Sequence, residues 1–248
     1  MCTTVTEELI PFVVLFEGRS GSTYLIECLA NHPQIRAEKE ILAALRKRVE
    51  RGTADSSAQL RSVEALFAPG QYDYNVVGFK TKVKDILDRD GLANEIQKFG
   101  TRIILLQRRN RIKLLVSLMN AIQLEKATGE WNLYTESDRQ PMLHIDLDKF
   151  RQWLETTEES NLALNGYVQQ LHLPTLEVYY EDILMDSVMT LERICSFLGV
   201  PHQQLEGKCI KNTSDDLRNV LENFDELSTA FRGTRYEEMF DEVLKPRS

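Results

Sequence analysis

The chain has 248 residues, a formal net charge of −8 and 42% hydrophobic residues, the make-up of an ordinary globular protein that fits a single domain over residues 1–248 with room for a small helical insert. The acidic balance argues against nucleic acid as a partner. The longest apolar runs, five or six residues, are far too short to span a membrane. Residues 1–8 have neither the basic start nor the apolar core of a signal peptide. Four cysteines, Cys2, Cys28, Cys195 and Cys209, show no C-x-x-C pairing and no histidine at metal spacing. They read as reduced, partly buried thiols in a cytoplasmic protein without a metal centre.

In chain order, residues 12–16 are an apolar run read as a buried strand. Gly18-Arg19-Ser20-Gly21-Ser22-Thr23-Tyr24-Leu25 follows, and residues 23–31 read as a helix stopped at Pro33. A glycine- and hydroxyl-rich loop that opens a helix is an anion site, because loop N–H groups and the helix dipole both offer positive charge. It is not a nucleotide-triphosphate loop, which reads G-x-x-x-x-G-K-[ST]; here Ser22 follows Gly21 and the cation, Arg19, precedes it. Residues 41–51 read as a second helix, 76–79 as a second strand with Lys80 at its end, and 85–99 as a helix broken near Gly91. Residues 102–106 read as a third strand and 110–127 as a long amphipathic helix with Asn110 as N-cap. Residues 128–148 lack periodicity and read as a long connection and a lid over the site. Residues 150–171 read as a helix weakened at Gly166, 176–180 as a fourth strand and 187–198 as a helix closed by Gly199. Residues 215–240 read as helices interrupted at Arg232-Gly233-Thr234.

Strands alternating with helices imply an α/β fold: a P-loop-like, three-layer arrangement with a central parallel sheet flanked by helices. In such sheets the ligand sits at the carboxyl ends of the strands. The loop after Phe16, the Lys80 segment, the turn at 107–110 and the turn at 180–182 converge there.

A second anion site follows the third strand. Arg109 stands at its end and Ser117 lies eight residues on, about two turns into the next helix. An arginine fork and a hydroxyl together suit a phosphate. Two phosphate sites without a loop lysine suggest one ligand with phosphates at both ends. Arg108 and Arg111 are alternatives to Arg109 as residues of a solvated basic helix start.

On these residues the chain resembles the sulfotransferase superfamily, in particular its bacterial and carbohydrate-type members such as the nodulation-factor and trehalose sulfotransferases. Arg19-Ser20-Gly21-Ser22-Thr23 matches the family's 5′-phosphosulfate loop, and Arg109 with Ser117 matches its 3′-phosphate pair. Further matches are Val77-Gly78-Phe79-Lys80, Tyr180-Glu181-Asp182, Phe197-Leu198-Gly199-Val200 and Arg232-Gly233-Thr234-Arg235-Tyr236. The resemblance implies a fold related to the P-loop nucleotide kinases. It implies transfer of a sulfuryl group from 3′-phosphoadenosine 5′-phosphosulfate (PAPS) to a hydroxyl of a carbohydrate, glycolipid or small natural product, leaving adenosine 3′,5′-bisphosphate (PAP) and requiring no metal.

The resemblance gives Arg19 and residues 20–24 (Ser20, Gly21, Ser22, Thr23, Tyr24) the phosphosulfate, and Arg109 and Ser117 the 3′-phosphate. It sets Tyr180 near the adenine, and Arg232, Gly233 and Thr234 in a loop closing over the 3′-phosphate end. Glu40 is the candidate base, in reach of the acceptor hydroxyl, with Glu38 the fallback. Lys80, Trp131 and His144 are acceptor-side candidates, with Trp131 and Tyr134 of the lid placed to stack on an acceptor ring. His32 reads as a capping or partly buried histidine, and Arg46-Lys47-Arg48 as a solvated face. Two other readings remain: a P-loop nucleotide kinase or NTPase, which needs the absent loop lysine, and a non-catalytic PAPS- or PAP-binding protein.

Overall fold

A computed structural model describes residues 9–68, 70, 74–208 and 211–244. The sequence readings at residues 1–8, Cys2 and Cys209 lie outside the described residues. The elements run β1 (Ile10–Phe16), α1 (Ser22–Ala30), β2 (Ile35–Glu38), α2 (Ile41–Glu50), α3 (Ala58–Phe67), β3 (Val76–Thr81), α4 (Arg89–Lys98), β4 (Arg102–Gln107) and α5 (Arg111–Thr128). They continue with α6 (Leu147–Leu171), β5 (Thr175–Tyr179), α7 (Tyr180–Met185), α8 (Ser187–Leu198), α9 (Phe224–Ala230) and α10 (Glu237–Asp241).

Among the described residues, five strands form one sheet in the order β2-β3-β1-β4-β5, and every neighbouring pair is parallel. β1 lies at the centre, so both faces must be apolar. Phe12, Val14 and Phe16 pack against α1 and α8 on one face. Val13 and Leu15 pack with residues of α3, α4 and α6 on the other. This alternation produces the three layers expected from the sequence. A third apolar cluster joins the first turns of α5 to the start of α6 and to α9 and α10.

Several expectations need correction. β2 had no counterpart in the sequence reading, because it is a four-residue edge strand whose Arg36 and Glu38 pair with each other at 2.8 Å and hide any apolar alternation. α3 was likewise unread; its buried Gln59 bridges the carbonyls of Leu42 and Asp85 and the amide of Leu87. The helix expected over residues 85–99 breaks earlier than Gly91: a 3-10 turn spans Val83–Asp85, and α4 starts afresh with Asp88 accepting from Gly91 N. α5 has its expected cap, Asn110 accepting from Lys113 N at 2.8 Å. Its first two turns are buried all round rather than amphipathic, because α5 runs through the junction between the sheet and the third cluster. The turn expected at 180–182 is the first part of α7.

Gly78 is required by strand approach. In β3 it stands opposite Phe12, and a Cβ there would run into the Phe12 carbonyl oxygen and ring. Backbone in a central strand has no room to give way, so Gly78→Ala is expected to destabilise the protein by roughly 1–3 kcal/mol, measured as a loss of unfolding free energy in urea; an unchanged midpoint would contradict this account.

Candidate functional site

β1 delivers the chain into the loop with Glu17, which is buried and meets Arg111, the first residue of α5, in a two-pronged ion pair at 2.6 and 2.7 Å. Arg111 also donates to the Thr157 carbonyl of α6 at 2.9 Å. Burial pushes the Glu17 carboxyl upward, opposed by the Arg111 guanidinium. Ser20 is turned inward, its hydroxyl donating to Glu17 O at 2.6 Å, and braces the loop rather than lining the cavity. Arg19 (φ 67°) and Gly21 (φ 82°) both take the left-handed conformation that bends the loop back onto α1. A Cβ on Gly21 would come within 2.8 Å of the Tyr180 ring. No side chain caps α1, whose first residues Ser22 and Thr23 line the cavity.

The loop has a lysine after all, supplied from the adjacent strand. Lys80 of β3 is buried, and its ammonium donates to Thr23 Oγ1 at 3.1 Å and Ser22 Oγ at 3.3 Å. It lies 3.4 Å from Glu40 Oε1 and 5.1 Å above the Phe16 ring. The other carboxylate oxygen, Oε2, accepts from Lys82. Burial pulls the Lys80 pKa down against the support of Glu40. Burial alone would raise the Glu40 carboxyl, but Lys82 and Lys80 outweigh it and hold it below its ordinary value. Thus the loop, Lys80 and Glu40 are brought together. Glu38 is not among them; it is paired with Arg36 on the edge strand.

The second cationic group stands across a cavity of about 360 Å³. Arg19 leaves the loop, and its Nε donates to Ser117 Oγ at 3.2 Å while Nη1 donates to Trp131 O at 3.0 Å. Arg108 is buried, stacks 4.4 Å over the Tyr180 ring and donates to Arg19 O. Its Nε has no hydrogen-bond partner among the described residues. Arg109 turns the other way. It is half exposed, binds Asp182 through both prongs at 2.6 and 3.1 Å and stacks 3.9 Å over Tyr179. The cation bonded to Ser117 is therefore Arg19, and Arg108 rather than Arg109 lines the same cavity.

The Tyr180-Glu181-Asp182 motif explains this turn. Glu181 accepts the backbone N–H groups of Arg109 and Asn110, each at 3.0 Å, which fastens the start of α5. Asp182 captures the Arg109 side chain, and Tyr180 packs between Gly21 and Arg108.

Ser22, Thr23, Tyr24, Ser117 and Tyr180 line the cavity. Burial pushes the Tyr24 phenol up to about 12, so it is a neutral wall. Arg232, Gly233 and Thr234 are exposed in the turn after α9, bonded locally to Phe231 and Glu237, and are not among the lining residues. His144 is exposed 4.0 Å from Glu222, outside the cavity. Trp131 contributes its carbonyl, with its ring part-exposed. Lys211, Asn212 and Thr213 close the cavity instead. Arg139 holds their backbone through Asn212 O at 2.6 Å, and Asn120 of α5 reaches Thr213 Oγ1 at 3.3 Å. Nothing in the tripeptide's sequence marks it; only the fold brings it to α5. The lining fits an anionic ligand: Arg19, Arg108 and Lys211 bring positive charge to it, and Ser22, Thr23 and Ser117 bring hydroxyls.

The architecture is that of the sulfotransferases. A sulfotransferase from Alicyclobacillus acidocaldarius superposes with a TM-score of 0.50 at 16% identity, covering 94% of this chain and 97% of that one. A mouse sulfotransferase complexed with PAP superposes at 0.51 and 16% identity, covering 94% and 88%. In sequence the chain is similar to nodulation protein H of Rhizobium tropici, 24% identical over 238 residues and 93% of each chain. It is 25% identical to nodulation protein H of Rhizobium meliloti over 245 residues, 93% of this chain and 95% of that protein. No family model matches the chain. The chain thus shares its fold with solved sulfotransferases and is similar over nearly its full length to nodulation protein H.

Two consequences can be measured. Glu17→Ala leaves the buried Arg111 guanidinium with only Glu158, at 3.5 Å, as a carboxylate partner and is expected to cost roughly 3 kcal/mol of unfolding free energy; a loss below about 1 kcal/mol would mean that the pair does not hold the loop to α5. A carboxylate whose folded pKa is lowered stabilises the fold above its unfolded pKa and loses that contribution as pH falls through the folded one. Glu40→Gln is therefore expected to be less stable than the parent at neutral pH, with the gap closing on acidification below the ordinary carboxylate range; a gap independent of pH would contradict the assigned pairing.

Proposed function

We propose that the protein transfers a sulfuryl group from PAPS to a hydroxyl of a carbohydrate, glycolipid or small natural product. The observation that carries this reading is the placement of two cationic groups in one site: Lys80 at the loop hydroxyls, and Arg19, bonded to Ser117, with Arg108 in the same cavity. Bound there, the donor supplies an activated sulfuryl group on a phosphate leaving group. Lys80, the Ser22 and Thr23 hydroxyls and the first N–H groups of α1 hold the phosphosulfate end and balance charge on the bridging oxygen. Arg108, Arg19 and Ser117 hold the 3′-phosphate, with Lys211 closing from the other side. Arg109 serves this end indirectly, through the Asp182 contact that fixes the turn. Tyr180 and the apolar side chains of Ile183 and Leu184 offer a wall for the base.

Glu40 is the general base. Its ionised carboxylate accepts the acceptor hydroxyl's proton, and two ammonium groups fix both oxygens beforehand. Residues 128–148 form the acceptor side of the site, tied to the loop by the Arg19–Trp131 and Arg19–Asn132 bonds. Clamping both ends of the donor makes positioning a large share of the rate enhancement.

PAP is expected to raise the melting temperature at concentrations where ATP with magnesium does not, because a ligand specific to the native state stabilises it by mass action. Stabilisation by ATP–magnesium alone would favour a nucleotide kinase. With an acceptor in hand, Glu40→Gln is expected to lower kcat by about 10²- to 10⁴-fold while leaving PAP binding intact. PAP binding with no transfer to any member of a hydroxyl-acceptor panel would instead favour a non-catalytic nucleotide binder.

A further inference from the structure

Lys80 touches both halves of the chemistry. Its ammonium is 3.1 and 3.3 Å from the hydroxyls of the donor loop and 3.4 Å from Glu40 Oε1. It is buried, with the Phe16 ring beneath it. Lys82, two residues on and on the same side of the chain, takes the other carboxylate oxygen. Lys82 is itself shared with Asp85 at 3.9 Å, and Asp85 is bound by Arg46 of α2 at 3.3 Å. Lys39, next to Glu40 in sequence, adds positive potential at Lys80. Glu40 thus faces two ammonium groups, one committed to the rim network and one pointing into the donor loop.

We propose that Lys80 is a positioning residue that couples donor occupancy to the base: it holds Glu40 while the loop is empty and gives its charge to the donor's phosphosulfate end once that end is bound, leaving Glu40 with Lys82 alone. A carboxylate with two cationic partners is a reluctant proton acceptor, and one relieved of a partner is a stronger base. The loop hydroxyls accept from Lys80 as neutral groups, whereas an oxyanion beside them attracts the ammonium more strongly. Base strength therefore rises only when the donor is in place, which ties proton removal to the loaded state. This inference rests on the PAPS reading, and it adds a dependence that the reading does not require.

The test is the titration of Glu40 in protein labelled with carbon-13 at the glutamate carboxyl, its resonance identified by its absence in Glu40→Gln. PAP is the probe. Saturating PAP is expected to raise the Glu40 midpoint by about one pH unit, a tenfold gain in proton affinity. In Lys80→Met the midpoint is expected to be raised already in the free protein, and PAP to add less than half the parental rise. Lys80→Arg, which keeps the charge, is expected to restore a low free midpoint. An equal PAP-induced rise in parent and Lys80→Met would overturn the proposal, because the ligand's own charge would then be the whole effect. So would a parental midpoint that does not move while other resonances report PAP bound. A protein on which PAP moves no resonance at all loses the donor reading along with it.

Discussion

The site depends on one buried contact, the two-pronged pair between Glu17 and Arg111. Glu17 is the first residue beyond β1 and Arg111 the first residue of α5, and β1 and β4 are neighbours in the sheet. Welding these points fixes the loop after one strand against the helix after the next. It thereby sets the distance between the loop hydroxyls, which Lys80 backs, and Ser117 across the cavity. Two buried charges carry a desolvation cost that their attraction only partly offsets, and the upward push of burial on Glu17 is the sign of that cost. What the pair provides is registry. A hydrophobic substitute could fill the space but would not impose a direction on both partners, and the Thr157 carbonyl would lose its donor.

A second carboxylate works in the same way from the opposite side. Glu181 holds the N–H groups of Arg109 and Asn110, the exposed donors ahead of α5. Between Glu17 and Glu181 the turn leading into α5 has little freedom, and this decides which arginine enters the cavity. Arg108 must point toward Tyr180 and the loop; Arg109 falls against Asp182 and Tyr179. A spacing of eight residues between an arginine and a serine located this constellation in the sequence, but spacing carries no information about which way a side chain leaves a turn. The same limit applied to Arg19, whose backbone belongs to the loop while its guanidinium reaches α5.

The central strands, the loop and the position of Glu40 at the start of α2 were legible because each is local: an apolar run, a glycine pair and a carboxylate opening a helix are features of a few adjacent residues. β2 was not, since an edge strand carrying an Arg36–Glu38 pair shows no apolar alternation; α3 was missed although Val63, Leu66 and Phe67 stand at helical spacing and pack into the core. The closing tripeptide Lys211-Asn212-Thr213 was illegible for a different reason. Its position is set by Arg139 and Asn120, each more than seventy residues away in the chain, so nothing nearby in sequence signals it. The Arg232-Gly233-Thr234 loop shows the converse: a glycine turn was correctly read, but its bonds to Phe231 and Glu237 keep it to itself.

The absent loop lysine also takes on a different meaning. A lysine borne on the loop moves with the loop; one borne on β3 is fixed by the sheet, where Lys80 pairs with Val14 of β1. Lys80 therefore meets the loop from a rigid base and can face a carboxylate that the loop itself does not carry. That geometry suits a reaction whose transferring group bears less charge than a terminal phosphate: one anchored ammonium, two hydroxyls and the helix N-terminus can balance the departing oxygen. It also reconciles a protein of net charge −8 with a doubly anionic ligand. Mean charge acts over distances that salt screens, whereas buried cations within 4 Å of a ligand oxygen act through a poorly screened interior. The local arrangement of Lys80, Arg19 and Arg108 thus outweighs the acidic exterior at the place proposed for the donor.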